Sequence, residues 1–290
     1  MTSIAITGAS GKLGRATLQF LASRNVSSAN VFPVIRDVAK GSDLAARGFQ
    51  VRRGDYTDPA SLEAAFKGID RLLFISTSAL GEERMLHHRN VVAAARRAGV
   101  GHIVYTSVIK PSPTAKFAAS PGHFHTEVLI RESGMPYTFF RNNLYLDIIP
   151  FLFGSALQTG VLTHCAGAGR IGFIAREDIA QALAAALTSA PLNPIYAITV
   201  SGPAYSLDEV ADALGKSAGK TVRYQSVSPD EFRRVLEGAG VPPAGVAMAV
   251  ALGEAANAGE FDASAPDLEQ LLGRPPASLE AFLAKSAVRT

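Results

Sequence analysis

The chain has 290 residues, 48% of them hydrophobic and 18% charged, with a net charge of +3. That is an ordinary balance for one large globular domain with a smaller appendage. Its basic residues are scattered, which argues against nucleic-acid binding, since that needs a concentrated positive stripe. One cysteine, Cys165, excludes an intramolecular disulfide, and no apolar run approaches the ~20 residues needed to cross a bilayer; with no leader-like opening, these point to a cytoplasmic chain with no membrane partner.

In chain order, Ile4-Ala5-Ile6 predicts a buried strand and Leu13 to Ala22 a helix. Val31 to Ile35 is a second strand, a short helix follows around Asp43 to Ala46, and Val51 to Arg53 is strand-like. Asp58-Pro59 reads as an N-cap with proline at the first helical position. Leu72 to Ile75 is a central strand, and Glu82 to Ala98 a long helix ending at Gly99. Strands from Ile103 and from Tyr137 to Phe140 flank a helix over Thr126 to Arg131. Six strands with helices between them predict an α/β protein with a Rossmann-type doubly wound parallel sheet.

The rest reads as a smaller mixed α/β substrate domain. A helix over Asp178 to Thr188 returns to the sheet, and Tyr196 to Val200 is strand-like within the smaller domain. Ser206 to Glu209 and Ser228 to Glu231 have the form of capping boxes, Val222 to Gln225 is strand-like, and the stretch 244–258 is helical. The dinucleotide domain is expected over 1–145 plus about 170–195, and the substrate domain over about 146–169 and 196–290.

Gly8-Ala9-Ser10-Gly11-Lys12-Leu13-Gly14 follows the first strand and opens the first helix. Such a turn lets the backbone approach a pyrophosphate, which meets the free N–H groups of the helix start. The end of the second strand selects the cofactor. An acidic residue there suits the ribose hydroxyls of NAD, whereas Arg36 suits the 2′-phosphate of NADPH. NADPH is therefore favoured, with NADH as the alternative because Asp37 lies one residue on. Asp55 and Tyr56, after the third strand, are placed for the adenine amino group, or else form a turn that caps the next helix. No metal site is expected, because His87-His88 and His164-Cys165 lack further ligands at suitable spacing.

The run Thr7 to Gly14, together with Gly54-Asp55-Tyr56, Leu73 to Ser76, His102 to Ser107, Thr126-Glu127 and Pro136 to Tyr145, resembles the NmrA-like atypical short-chain dehydrogenases, especially their quinone oxidoreductases and triphenylmethane reductases. The resemblance spans nearly the whole chain. It implies that Gly8, Ser10, Gly11, Lys12, Leu13, Gly14, Arg36, Ser76 and Thr77 line the cofactor. It also implies that Thr106, Ser107, His123, Asn142 and Tyr145 lie near nicotinamide and substrate, with His123, Asn142 and Tyr145 as the catalytic candidates. A standard short-chain dehydrogenase uses Tyr-x-x-x-Lys to protonate a carbonyl oxygen, but Gly122 to Glu127 holds neither Tyr nor Lys. A quinone-like or other flat aromatic acceptor needs positioning more than a strong acid. The expected function is thus an NAD(P)H-dependent reductase of such acceptors, with Phe139, Phe140, Leu144 and Phe151 as pocket walls. The alternative is a non-catalytic dinucleotide-binding redox sensor. A homodimer is left open.

Overall fold

The computed structural model describes residues 2–190 and 192–287. Strands β1 (Ile4–Thr7), β2 (Val31–Ile35), β3 (Arg52–Arg53), β4 (Arg71–Phe74), β5 (His102–Val108) and β6 (Tyr137–Asn142) alternate with α1 (Lys12–Ser23), α2 (Ser42–Ala46), α3 (Pro59–Phe66), α4 (Gly81–Arg97) and α5 (Ser120–Glu132). The chain continues through α6 (Ile149–Phe153), α7 (Ala156–Thr159), β7 (Val161–His164), β8 (Arg170–Ile171), α8 (Arg176–Thr188) and β9 (Ile195–Ile198). It ends with β10 (Tyr205–Ser206), α9 (Leu207–Ala218), β11 (Arg223–Ser226), α10 (Pro229–Gly238), α11 (Pro243–Asn257), α12 (Asp267–Leu272) and α13 (Leu279–Ala287).

The main sheet has seven strands in the order β3-β2-β1-β4-β5-β6-β9. Neighbours from β3 to β6 pair in parallel. The strand order reverses between β1 and β4, the switch point at whose carboxyl ends a doubly wound sheet binds its ligand. β1 and β2 are buried along their whole length, as strands covered by helices on both faces must be. Leu62, Phe66, Phe74, Val91, Ala94, Tyr105 and Phe139 build much of the core on one side.

Two expectations are corrected. Tyr196 to Val200, expected within the smaller domain, supplies Tyr196 to Ile198 to β9, the seventh strand of the main sheet, although from Ala197 onward the chain belongs to the second compact unit. The β9 bonds Phe139 N–H to Pro194 O and Asn143 N–H to Ile198 O, both 2.9 Å, advance in step, the signature of a parallel neighbour. Phe139 and Phe140 are not pocket walls. They alternate on a strand covered on both faces, so both are core residues, and Phe139 stacks on Tyr137 at 4.5 Å. Leu144 is buried too, whereas Phe151 is 83% exposed.

The chain divides into two compact units. The first comprises 1–113, 122–142 and 179–196, and the second 114–121, 143–178 and 197–290. Within the second, β7 pairs in parallel with β11, and β8 pairs antiparallel with β10. Ser206 caps α9 in a full capping box with Glu209, while Ser228 caps α10 by accepting the Glu231 N–H. A small apolar cluster of Cys165, Phe232, Val246 and Val250 joins β7 to α10 and α11.

Candidate functional site

β1 ends at Thr7 and the chain turns through Gly8 to Gly11, closed by a 2.9 Å bond from Gly11 N–H to Gly8 O. Glycine is required at Gly14, where a Cβ would stand 2.6 Å from Gly8 O and 2.7 Å from Ala9 Cα. Only a bare Cα lets α1 ride so close to the turn that feeds it. α1 starts without a side-chain cap and without an acidic residue in its first turn. Its leading N–H groups and Lys12 are therefore left for an anion. Leu13 is buried beneath the turn, and the Ser10 carbonyl accepts from Arg15 Nε at 3.2 Å. A dinucleotide's pyrophosphate fits this cradle.

Arg36 is exposed just beyond β2. The neighbouring carboxylate of Asp37 is committed locally, accepting the Ala39 N–H at 3.1 Å to cap a short turn. The group offered at this strand end is thus the guanidinium, which suits a 2′-phosphate. Asp55 lies in the turn before α3 and accepts the Thr57 N–H at 2.9 Å and the Thr57 hydroxyl at 2.8 Å, while the cap of α3 itself is Asp58. The Thr57 amide chiefly holds the Asp55 carboxyl below the usual range, and the Arg36 charge adds to it. Tyr56 is a brace. Its hydroxyl donates to Ile75 O at 2.7 Å and lies 2.6 Å from Thr7 Oγ1, tying the end of β1 to the end of β4.

Ser76 and Thr77 follow β4. The Ser76 N–H donates to Thr106 Oγ1 at 2.9 Å, and the Thr77 N–H to His88 Nε2 at 3.2 Å. Ser107, at the end of β5, donates its hydroxyl to Glu127 Oε1 at 2.8 Å. Glu127 is 1% exposed and also accepts from Arg141 Nε and Nη2, at 3.0 and 2.7 Å, and from Arg131 Nη2 at 3.0 Å. Two guanidiniums and a hydroxyl thus hold a buried carboxylate.

His123 was expected beside the reacting atoms as a proton donor. The structure places it 7% exposed in the layer between α4, α5 and β5. Its Nε2 lies 3.0 Å from Arg84 Nη1, and its Nδ1 lies 2.7 Å from the Tyr105 hydroxyl. A guanidinium only donates, so His123 Nε2 accepts and the Nδ1–H donates to Tyr105. By the same logic His88, whose Nε2 accepts from Thr77, donates from Nδ1 to Thr126 Oγ1 at 2.7 Å; the Thr126 hydroxyl then donates to Gly122 O, also at 2.7 Å. Burial, reinforced by the Arg84 charge, pushes both histidines well below the ordinary imidazole range. Both nitrogens of each ring are committed inside the protein.

Asn142 is buried at the end of β6, and its carbonyl accepts the Ile109 N–H at 2.8 Å. Tyr145 belongs to the second unit. There its backbone bridges to Ile174 and its ring lies 5.9 Å from the Arg176 guanidinium, which pairs with Asp147 at 2.7 Å. Among the described residues, no group of three His, Cys, Asp or Glu side chains is arranged to hold a metal ion, and no helix is long and apolar enough to cross a membrane. Sequence reasoning missed Arg84 and His88 as members of the site's framework. It quoted Glu127 without giving it a role, although Glu127 shares with His123 the four-residue spacing of a Tyr-x-x-x-Lys pair.

The sequence matches the NmrA-like family over residues 1–283. The chain belongs to that family. This NmrA-like chain is 36% identical over 278 residues to quinone oxidoreductase 2 of Escherichia coli (strain K12), spanning 95% of this chain and 96% of that protein. Its fold is similar to the crystal structure of the Escherichia coli NADPH-dependent quinone oxidoreductase complexed with NADPH, with a TM-score of 0.90, 34% identity and 99% of each chain covered. It is equally similar to the Citrobacter sp. triphenylmethane reductase complexed with NADP(H), with a TM-score of 0.90, 36% identity, and 98% and 100% of the two chains covered.

Proposed function

We propose that this chain is an NAD(P)H-dependent reductase of quinone-like or other flat conjugated aromatic acceptors, with NADPH as its favoured cofactor. The observation that carries the reading is on α5. His123 and Glu127, at the spacing of the dehydrogenase dyad, are buried and fully engaged by Arg84, Tyr105, Ser107, Arg131 and Arg141. Neither is free to protonate an alkoxide, so simple ketone reduction is a poor fit. The names of the full-length relatives, quinone oxidoreductases and a triphenylmethane dye reductase, support the same acceptor class.

When bound, the reduced nicotinamide supplies a hydride. The protein's task is then to bind and orient. The α1 start and Lys12 hold the pyrophosphate, and Arg36 takes the 2′-phosphate. Ser76 and Thr77 are the strand-end residues assigned to line the cofactor, and Thr106 and Ser107 those assigned to the neighbourhood of the nicotinamide. Asn142 and Tyr145 are the residues assigned to contact the acceptor. Because reduction of a quinone leaves a delocalised oxyanion, water serves as the proton source, and positioning supplies most of the rate. We take the chain to act in the cytoplasm on small molecules rather than on nucleic acid.

The test is loss of absorbance at 340 nm with NADPH or NADH and a panel of quinones, azo compounds and triarylmethane dyes. Acceptor-dependent loss that is faster with NADPH is expected. Tight NADPH binding without turnover on any acceptor would overturn the reductase reading in favour of a redox sensor.

A further inference from the structure

Arg84 sits on α4 with only 4% of its surface exposed. Among the described residues no carboxylate pairs with it. Its guanidinium donates from Nε to Ala79 O at 2.8 Å, from Nη2 to Thr77 O at 2.9 Å, and from Nη1 to His123 Nε2 at 3.0 Å. A buried cation without an acidic partner is unusual, because burial strips its hydration and nothing of opposite charge replaces it. Gly122 makes room for it: a Cβ there would lie 2.5 Å from Arg84 Cδ.

The loop that Arg84 holds is also fastened at the amides of Ile75, Ser76, Thr77 and Ala79. The Ile75 N–H donates to Thr7 Oγ1 at 3.1 Å, and the Ser76 N–H to Thr106 Oγ1 at 2.9 Å. The Thr77 N–H donates to His88 Nε2 at 3.2 Å, and the Ala79 N–H to Thr77 Oγ1 at 3.2 Å. This irregular loop thus has two of its carbonyls held by a guanidinium fork and four of its amides held by side chains. It leaves β4 beside the phosphate turn, at the switch point of the sheet.

We infer that Arg84 is a positioning residue: its fork turns the Thr77 and Ala79 carbonyls inward and so sets the loop after β4 in its dinucleotide-binding form before the cofactor arrives. This rests on the reductase reading above. In substance, Arg84 moves the ordering of the loop from the binding step to folding, so the cofactor meets a finished surface. Arg84 itself touches neither cofactor nor acceptor.

The experiment compares wild type with Arg84→Met and Arg84→Lys, measuring the NADPH Kd by fluorescence titration and the acceptor KM at saturating NADPH. Arg84→Met is expected to weaken NADPH by at least about thirtyfold while the acceptor KM moves less than about threefold. Arg84→Lys, which keeps the charge but loses the fork, is expected to recover only part of that affinity. An Arg84→Met Kd within about threefold of wild type, whatever the change in melting temperature, would overturn the inference. So would full recovery in Arg84→Lys, which would make charge rather than the fork responsible. Should Arg84→Met fail to fold, hydrogen exchange on cofactor-free wild type decides. The Ile75, Ser76, Thr77 and Ala79 amides are expected to be protected at least about a hundredfold, and exchange at open-loop rates would refute the preset loop. A wild type that binds no NADPH would instead overturn the reductase reading, an outcome separate from wild type binding with Arg84→Met unaffected.

Discussion

His123 in the first unit and His164 in the second are almost equally hidden, at 7% and 3% exposure, yet their surroundings differ in kind. His123 lies in a polar layer where Arg84, Tyr105, Thr126 and His88 complete one another's hydrogen bonds. His164 lies between the rings of Phe153 and Phe232, and among the described residues its buried Nδ1 has no hydrogen-bond partner. Burial neutralises both, but for different ends. In the first unit, neutral histidines are building material that fixes strand ends and the loop after β4. In the second, a neutral histidine behaves as one more ring in an apolar cluster. A hidden histidine is therefore not by itself a sign of catalysis; what matters is whether a lone pair or proton is left to use.

The largest effect expected from breaking this contrast is at Glu127. Glu127→Ala strands the Arg141 and Arg131 charges and leaves the Ser107 hydroxyl without its acceptor. A loss of about 3–5 kcal/mol in urea unfolding is expected. Arg131→Ala, which removes only the more exposed partner, is expected to cost about 1 kcal/mol or less.

Next comes acid. Burial lowers His164 from the ordinary 6.5 to about 4, so as pH falls the unfolded chain takes up this proton before the folded one. Stability is therefore lost from about pH 6.5 downward and levels off below about pH 4. At about 1.4 kcal/mol per pH unit this amounts to about 3 kcal/mol, and His164→Leu should show that much less acid destabilisation than wild type between pH 7 and 4. Equal acid slopes in the two proteins would count against an unpartnered, neutral His164.

A third effect concerns the open rim rather than the closed layer. Arg36→Ala is expected to raise the KM for NADPH by about tenfold, about 1.4 kcal/mol, and to leave NADH nearly unchanged. Parallel changes with both cofactors would mean that Arg36 does not read the 2′-phosphate. The smallest effect is local: Ser206→Ala removes half of a capping box in the second unit and should cost about 1 kcal/mol without altering turnover.

Much of the fold was legible because its signals are local. Short apolar runs gave the strands, Asp58-Pro59 and Ser206 to Glu209 gave helix starts whose caps form as expected, and the glycine run gave the phosphate turn. The polar layer was not legible, because its bonds join side chains to loop carbonyls and amides and to residues of α5, pairings that no periodicity or motif singles out. Arg84 follows Glu82 and Glu83 on α4, where no motif marks it, and its partners come from the loop before α4 and from α5. Asp37 and Asp55 were ambiguous in the sequence, and the structure shows each carboxylate capping its own turn. The aromatic run at Phe139-Phe140 suggested a pocket because composition does not reveal that a strand is covered on both faces.

The central claim is that reduction proceeds without a resident acid on α5, and one comparison tests it most directly. His123→Gln keeps an acceptor for Arg84 and a donor for Tyr105 but cannot titrate. Steady-state NADPH oxidation with a simple quinone, followed at 340 nm beside wild type, should show a kcat within about threefold. A kcat lower by about a hundredfold, with NADPH affinity and melting temperature unchanged, would contradict the account and return His123 to the chemistry.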